Sequence, residues 1–495
     1  MVYQFLEKNK NLSTEAVIYG EDKITYKELF RKSSLLGRKL SGEATDTIII
    51  CIPNNIYYVV SYFSILACDK IVYPISSLSK QDEVISAIER TGSNVILCTH
   101  DYYEQLKAMC QHSNIKIICV DNETLYDSNR DDLESICYDE SKINDTCVLL
   151  NTSGSTDIHK IVMLTQKNIM TNCTDWVEGA LDTSTHGKVL IAMPACTSFG
   201  TVVITTCVLL GWTIVFMPSF FNSATLLQTI GKEEITHLIC IGSMLNILAS
   251  DVAKLGPSNY NSLKFIGIGG NKAVPETMKI MMKYFPEVGL SPGYGITEAT
   301  CIVSGIHPDI SRNNKELFYE KIHSAGKPYR NSNVKIDNRE GMPNSTGEIL
   351  IGGPIVMKGY YNNTQATKAA LNNGYLHTGD IGYFDEDGYL YVVGRIKNII
   401  KSGGYTVFSE EIEAALQNSG MVKEACAYGI PDPILDEKIV VDVIPIDGAI
   451  NVLDIEEYCL QHLAKYKIPS KIQFVSDIKK TKNGKIQRKV YTLNE

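Results

Sequence analysis

Residues 151–160, NTSGSTDIHK, bring together the hydroxyls of Thr152, Ser153, Ser155 and Thr156, the bare backbone of Gly154 and the cation of Lys160. Such a loop offers N–H groups, hydroxyl donors and a positive charge, which are what a polyphosphate requires. It is not a Walker loop, because no glycine precedes Lys160 and no helix opens there. A Ser/Thr-rich surface turn accounts for the same residues equally well. Residues 293–298, GYGITE, join an aromatic plane (Tyr294), a hydroxyl (Thr297) and a carboxylate (Glu298) between Gly293 and Gly295. That is a stack for a base and a ligand for Mg²⁺, or else a tyrosine buried in a tight turn. In residues 266–271, IGIGGN, the pair Gly269 and Gly270 followed by Asn271 would let a base or sugar lie against backbone, a weak signal alone. Further on, Asp380 follows Thr378-Gly379, Arg395 follows Gly394, and Gly403-Gly404 lead towards a helix. The basic run 479–489, KKTKNGKIQRK, has the make-up of a solvated face or a nucleic-acid patch. Its Asn483-Gly484 reads as a tight turn that presents Lys485 at its tip.

The elements around these groups must hold them in place. Before the hydroxyl-rich loop, helical stretches (25–40, 57–67, 81–90) alternate with short apolar strands (47–52, 70–74, 95–98, 115–120), a rhythm that predicts parallel strands with crossover helices. A strand over 146–150 and a helix from about Gln166 bracket the loop itself. Residues 381–384 and 389–392 alternate at period two around Asp385-Glu386-Asp387-Gly388, which predicts a hairpin. The acidic turn is not a calcium loop, since residues 389–392 supply no oxygen ligands at the required spacing. Residues 396–400, IKNII, mix charged and apolar side chains as a swivel would, with Lys397 as the hinge candidate. Ser409 is expected to cap the next helix, with Glu410 and Glu411 in its first turn.

At 495 residues the chain is too long for one core and predicts two or three domains. A net charge of −9 argues against nucleic acid or an anionic membrane as the main partner. The 14 cysteines show no paired spacing and the first residues lack a basic start and apolar core, so a reducing cytoplasm is expected. Residues 189–231 carry no charge, but Pro194, Gly200, Gly211, Pro218 and frequent threonines make this stretch buried core rather than a membrane span.

In this order the motifs TSGST, GYGITE, HTGD, GRIKNIIKSGGY and NGKIQR resemble the adenylate-forming superfamily of acyl-CoA synthetases, luciferases and peptide-synthetase adenylation domains, over residues 18–490. The resemblance implies an α/β fold: a large N-terminal domain (1–395) of parallel sheets wrapped by helices with a distorted barrel, and a small mobile α+β C-terminal domain (396–495). It implies that residues 152–160 are the ATP phosphate loop, that Gly269, Gly270, Asn271 and Tyr294 line the adenine, and that Glu298 holds Mg²⁺. Asp380 and Arg395 would bind the ribose, Lys397 would be the hinge, and Gly403 and Gly404 would wall the pantetheine tunnel. Lys485, Thr156 and Glu298 are the expected catalytic residues. A carboxylate is already nucleophilic and needs no general base; it needs charge cancelled at the α-phosphorus, which Lys485, Mg²⁺ and the loop could supply.

Two departures bear on activity. The loop ends Asp157-Ile158-His159-Lys160-Ile161 where the family has Gly-x-Pro-Lys-Gly. A carboxylate about 4 Å from a phosphate would cost about 4 kcal/mol at an effective dielectric of about 20. Asp157 is therefore expected to point outward, with ATP binding weakened rather than lost. Cys196 and Thr197 stand where acyl-CoA ligases have an aromatic-His pair, and no carboxylate there pairs an α-ammonium group. The acid is thus expected to lack an α-amine, aryl or alkyl, in a pocket formed by Cys196, Thr197, Phe199, Gly242, Ser243, Met244 and Gly269, each of which reads equally as ordinary core. The expected activity converts acid, ATP and CoA to an acyl thioester, AMP and pyrophosphate. A stand-alone enzyme loading a phosphopantetheinyl carrier protein is the nearer alternative, and a nucleotide binder without catalysis the remote one.

Overall fold

In the computed structural model, residues 1–111, 114–127, 139–152, 160–217, 222–255, 260–270, 274–338, 345–448, 450–480 and 486–488 are described. Thr25 opens the helix Tyr26–Leu40 with a capping box, accepting from Glu28 N at 3.2 Å while Thr25 N donates to the Glu28 carboxylate at 2.7 Å. Leu29, Leu36 and Leu40 are fully buried on its inner face, and Gly37 lets the helix Ile56–Ala67 approach so closely that a Cβ would lie 2.9 Å from the Ser64 carbonyl.

Strands Thr47–Ile50, Ile71–Pro74, Val95–Cys98 and Lys116–Cys119 fall within two residues of their expected limits and pair in parallel through the helices between them. Thr146–Asn151 joins Ile71–Pro74 in parallel, and Ile161–Thr165 then returns antiparallel to it. The parallel expectation gives way here because a connection over residues 152–160 is too short to cross the sheet. The short strand Gly359–Tyr360 pairs on Ile161–Thr165 and completes a seven-stranded sheet.

A nine-stranded sheet is parallel through its centre, from Gly289–Tyr294 across Phe265–Gly269, His237–Ile241, Lys188–Ile191 and Thr213–Phe216 to Glu15–Tyr19. The charge-free stretch forms the helix Ser198–Leu210, the left-handed cap Gly211 (φ +69°) and the buried strand Thr213–Phe216, all inside this core. Among the described residues no helix is long and apolar enough to cross a membrane.

The expected barrel corresponds to a five-stranded antiparallel sheet in which Gly347–Gly352 and Leu390–Arg395 flank Tyr375–Phe384. Its acidic turn closes on itself, because Asp385 Oδ1 accepts from Asp387 N at 3.1 Å and Tyr389 N at 2.8 Å. The ammonium of Lys321, 2.6 Å from Asp387 and 3.1 Å from Asp385, takes the place beside those carboxylates that a cation would occupy.

The smaller C-terminal domain follows a single turn, Ile396–Asn398. Its sheet of Ile399–Ser402, Tyr405–Phe408, Val422–Asp432, Asp436–Pro445 and Lys471–Phe474 encloses a separate core with the helices Ser409–Asn418 and Val452–His462. Ser409 is the first helical residue there and not the cap. Strand Tyr405–Phe408 runs straight into the helix, so the buried Ser409 hydroxyl donates to the Glu410 carboxylate at 3.1 Å instead.

Candidate active site

Antiparallel register sets Asp380 opposite Arg395, and Arg395 Nε donates to Asp380 Oδ1 at 2.8 Å. On the other oxygen, Tyr294 OH donates to Asp380 Oδ2 at 2.7 Å from the end of the strand Gly289–Tyr294. Three residues singled out in separate motifs thus meet on one carboxylate that is only 3% exposed. The turn is fixed by Thr378, whose Oγ1 accepts from Asp380 N at 3.0 Å and donates to Ile349 O at 2.7 Å. Gly379 adopts a φ of +70° that a side chain would oppose, and its N–H donates to Glu348 at 3.0 Å. Burial, and after it the Asp380 charge, push the Tyr294 phenol well up, so it stays a donor. Burial works against the Arg395 charge, yet the carboxylates of Asp380, Glu298 and Glu410 hold the guanidinium above its ordinary range.

The turn after Tyr294 is folded tightly: a Cβ on Gly295 would fall 1.2 Å from the Cys301 carbonyl oxygen, and one on Gly293 2.6 Å from that of Ser304. The tightness brings Thr297 and Glu298 back to face the site. Thr297 Oγ1 lies 3.2 Å from Ser198 Oγ, and the Glu298 carbonyl accepts from Met357 N at 2.8 Å. Its carboxylate accepts from Tyr360 OH at 2.9 Å. Lys160 Nζ lies 4.6 Å above the same Tyr360 ring, and Lys160 O accepts from Thr152 N at 3.0 Å, which closes the loop between them.

In the expected acid pocket, Thr197 caps the helix Ser198–Leu210 by accepting from Gly200 N at 3.1 Å. The Phe199 ring lies against Gly269, where a Cβ would meet it at 2.9 Å. Gly270 turns through a φ of +76° beside Ile241, which leads into Gly242, Ser243 and Met244 at the start of the helix Gly242–Leu255. Met244 packs half-buried on the core behind it. Burial pushes the Cys196 thiol up to about 11, so it is not a nucleophile at neutral pH.

Gly403 (φ +57°) and Gly404 (φ +80°) form the two-residue turn of a different hairpin, in the small domain, where Gly403 N donates to Leu435 O at 2.8 Å. Lys397 lies in the turn joining the domains. Ser153, Gly154, Ser155, Thr156, Asp157, His159, Asn271 and Lys485 lie outside the described residues. On either side of Lys485, Lys480 bridges Ile486, and Arg488 grips Glu413 at 2.5 Å. Sequence reasoning missed Tyr360 and Ser198. Residues 359–361, Gly-Tyr-Tyr, carry no signal beyond that of a short strand, and the contact with Glu298 spans 62 residues.

Two family models match the chain: that of the AMP-binding enzymes over residues 6–361 and that of the AMP-binding enzyme C-terminal domain over residues 411–485. The chain is 29% identical to an oxalate–CoA ligase of Arabidopsis thaliana, over 90% of this chain and 87% of that one. It is also 29% identical to a 2-succinylbenzoate–CoA ligase of Bacillus licheniformis, over 96% and 95% respectively. The fold is similar to that of the o-succinylbenzoate CoA synthetase of Bacillus subtilis in complex with its acyl-adenylate intermediate, with a TM-score of 0.85, 26% identity and coverage of 99% and 98%. The same synthetase has been solved with ATP and a magnesium ion.

Proposed function

This chain belongs to the AMP-binding enzyme family, and we propose that it is an AMP-forming acid–thiol ligase. It would condense a carboxylic acid with ATP to an acyl-adenylate and pyrophosphate, then pass the acyl group to the thiol of CoA with release of AMP. The observation that carries this reading is the convergence of Tyr294 and Arg395 on Asp380, with Glu298 facing the same region. A buried carboxylate with spare lone pairs, locked beside a guanidinium, suits the two vicinal hydroxyls of a ribose. Tyr294 and the bare backbone of Gly269 and Gly270 then flank the adenine. Thr152 and Lys160 close the phosphate loop, with Thr156 and Lys485 completing the catalytic set.

Among the described residues no group of three or more His, Cys, Asp or Glu side chains is arranged to hold a metal ion. A divalent ion would therefore be held by Glu298 with phosphate oxygens and water, which is how Mg²⁺ is commonly bound. The residues fit: Tyr360 engages one Glu298 oxygen and leaves the other for a cation. Mg²⁺ bound there would offset the phosphate charge that builds as pyrophosphate departs.

The acid attacks as its own carboxylate, so the protein's task is placement. Neither Cys196 nor Thr197 offers an α-ammonium group a counter-charge, and residues 189–231 hold no carboxylate, so the substrate is an aryl or alkyl acid without an α-amine. The chain divides at 395/396, and a swing about Lys397 withdraws Lys485 and brings Gly403 and Gly404 towards the thiol. A screen of aryl, short-chain and long-chain acids for exchange of radiolabelled pyrophosphate into ATP tests the first half. AMP release stimulated by CoA at least as efficiently as by a phosphopantetheinyl carrier protein tests the second. Absence of exchange with every acid in the panel would overturn the proposal.

A further inference from the structure

Tyr360 is buried, 6% exposed, and joins two groups that the ligase reading places on opposite signs of the same ligand. Its hydroxyl donates to Glu298 Oε1 at 2.9 Å, and the face of its ring lies 4.6 Å under Lys160 Nζ. Its backbone is braced from both sides. Gly359 and Tyr360 pair with Met163 and Val162 on the strand that follows Lys160, Lys358 N donates to Met163 O at 3.0 Å, and Tyr361 N donates to Ile161 O at 2.7 Å. At the other end, Met357 N donates to the Glu298 carbonyl at 2.8 Å. Residues 357–361 therefore staple the exit of the phosphate loop to the turn that carries Glu298.

We infer that Tyr360 is a positioning residue for Mg·ATP: its hydroxyl holds the Glu298 carboxylate in the rotamer that turns the free oxygen to the metal, while its ring seats Lys160 towards the phosphates. The inference rests on the ligase reading. One side chain thereby fixes the spacing between an anion that takes the metal and a cation that takes the phosphate. A carboxylate without its outer partner samples other rotamers and binds metal more weakly. An ammonium deprived of an aromatic face loses a directional contact of comparable weight.

The two halves separate by substitution. Tyr360→Phe removes the hydroxyl and keeps the ring; Tyr360→Leu removes both. Calorimetric titration of ATP at stepped Mg²⁺, without acid, is read beside ATP titration in a chelator and beside pyrophosphate exchange. For Tyr360→Phe the Mg²⁺ needed for half-maximal ATP binding rises about tenfold, while metal-free ATP binding, the KM of the acid and the melting temperature stay near those of the parent. Tyr360→Leu weakens metal-free ATP binding as well. A Tyr360→Phe variant with unchanged Mg²⁺ dependence, or one whose metal-free and Mg²⁺-dependent binding fall together, overturns the inference and leaves the ligase reading standing. A parent protein that neither binds Mg·ATP nor exchanges pyrophosphate overturns both.

Discussion

Asp380 is 3% exposed, with a phenol on one carboxylate oxygen and a guanidinium on the other, the partners that a buried carboxylate requires. Asp380→Asn preserves its size and removes the carboxylate, so Arg395 loses its ion-pair partner and the proposed ribose site loses an acceptor. ATP affinity should fall by about 2 kcal/mol, roughly thirtyfold, in calorimetric titration; an unchanged affinity would remove the ribose from this carboxylate. His237, far from that chemistry, carries a different prediction. Its ring is fully buried, with centroids 4.6 Å from Trp212 and 5.4 Å from Phe265. A carbonyl can only accept, so Nε2–H donates to Asp182 O at 2.7 Å and Nδ1 accepts from Thr236 Oγ1 at 2.7 Å, which satisfies the neutral ring. Burial pushes its pKa down to about 4. Between that value and the ordinary 6.5 the unfolded chain binds more protons than the folded one, so stability is intact above the upper limit and is lost as pH falls through the window. The loss approaches roughly 3 kcal/mol. Guanidinium midpoints followed by tryptophan fluorescence should drop between about pH 7 and pH 5, and a His237→Gln variant, weaker at the start, should drop less.

Elements act here through how closely their backbones pass. A methyl group on Gly295 would need to occupy the Cys301 carbonyl, so Gly295→Ala must open the turn that carries Thr297 and Glu298. We expect a destabilisation of about 2 kcal/mol or more together with loss of Mg²⁺-dependent ATP binding. Gly92→Ala, with a φ of +66° and nothing within 4 Å, should cost only about 1 kcal/mol of left-handed strain and leave ATP binding alone. Melting temperature and calorimetry on the pair distinguish a displaced site from general damage. The same closeness explains which parts of the fold were legible in the sequence. The crossover strands Thr47–Ile50 and Val95–Cys98 were readable because burial on both faces writes continuous apolar runs bounded by helical periodicity, whereas the edge strand Lys116–Cys119 is only half-buried. The meeting of Tyr294, Asp380 and Arg395 was foreshadowed by motif order alone, since residues 86 apart share no local pattern. Ser409 misled because a serine before two glutamates has the composition of a cap, whereas the preceding strand leaves no extended residue of its own to spare. Tyr360 was invisible because an aromatic in a short apolar segment looks like core, and its hydroxyl finds its partner only once two sheets are assembled.

At the scale of the whole molecule, the proposed chemistry needs Lys485 to approach and then retreat, and the turn Ile396–Asn398 is the pivot proposed for it. The flanks of residues 481–485 pair with each other, through the Lys480–Ile486 bridge and Gln487 N donating to Lys479 O at 2.9 Å, and both are tied to the small domain, Lys480 to Glu424 at 2.7 Å and Arg488 to Glu413 at 2.5 Å. Glu413 in turn lies on the helix Ser409–Asn418 and accepts from Ala427 N at 2.8 Å. Asp380 and Arg395 belong to the antiparallel sheet of the large domain. The chain crosses from one to the other once, through the turn Ile396–Asn398. Fixing φ at the middle of that turn with Lys397→Pro should hinder the swing without touching the nucleotide contacts. Pyrophosphate exchange should then stay within about threefold of the parent while CoA-dependent AMP release falls about tenfold or more, with acyl-adenylate accumulating on the enzyme. Equal losses in both half-reactions would mean that residue 397 serves the first step directly, and thioester formation at the parental rate would move the pivot to another residue.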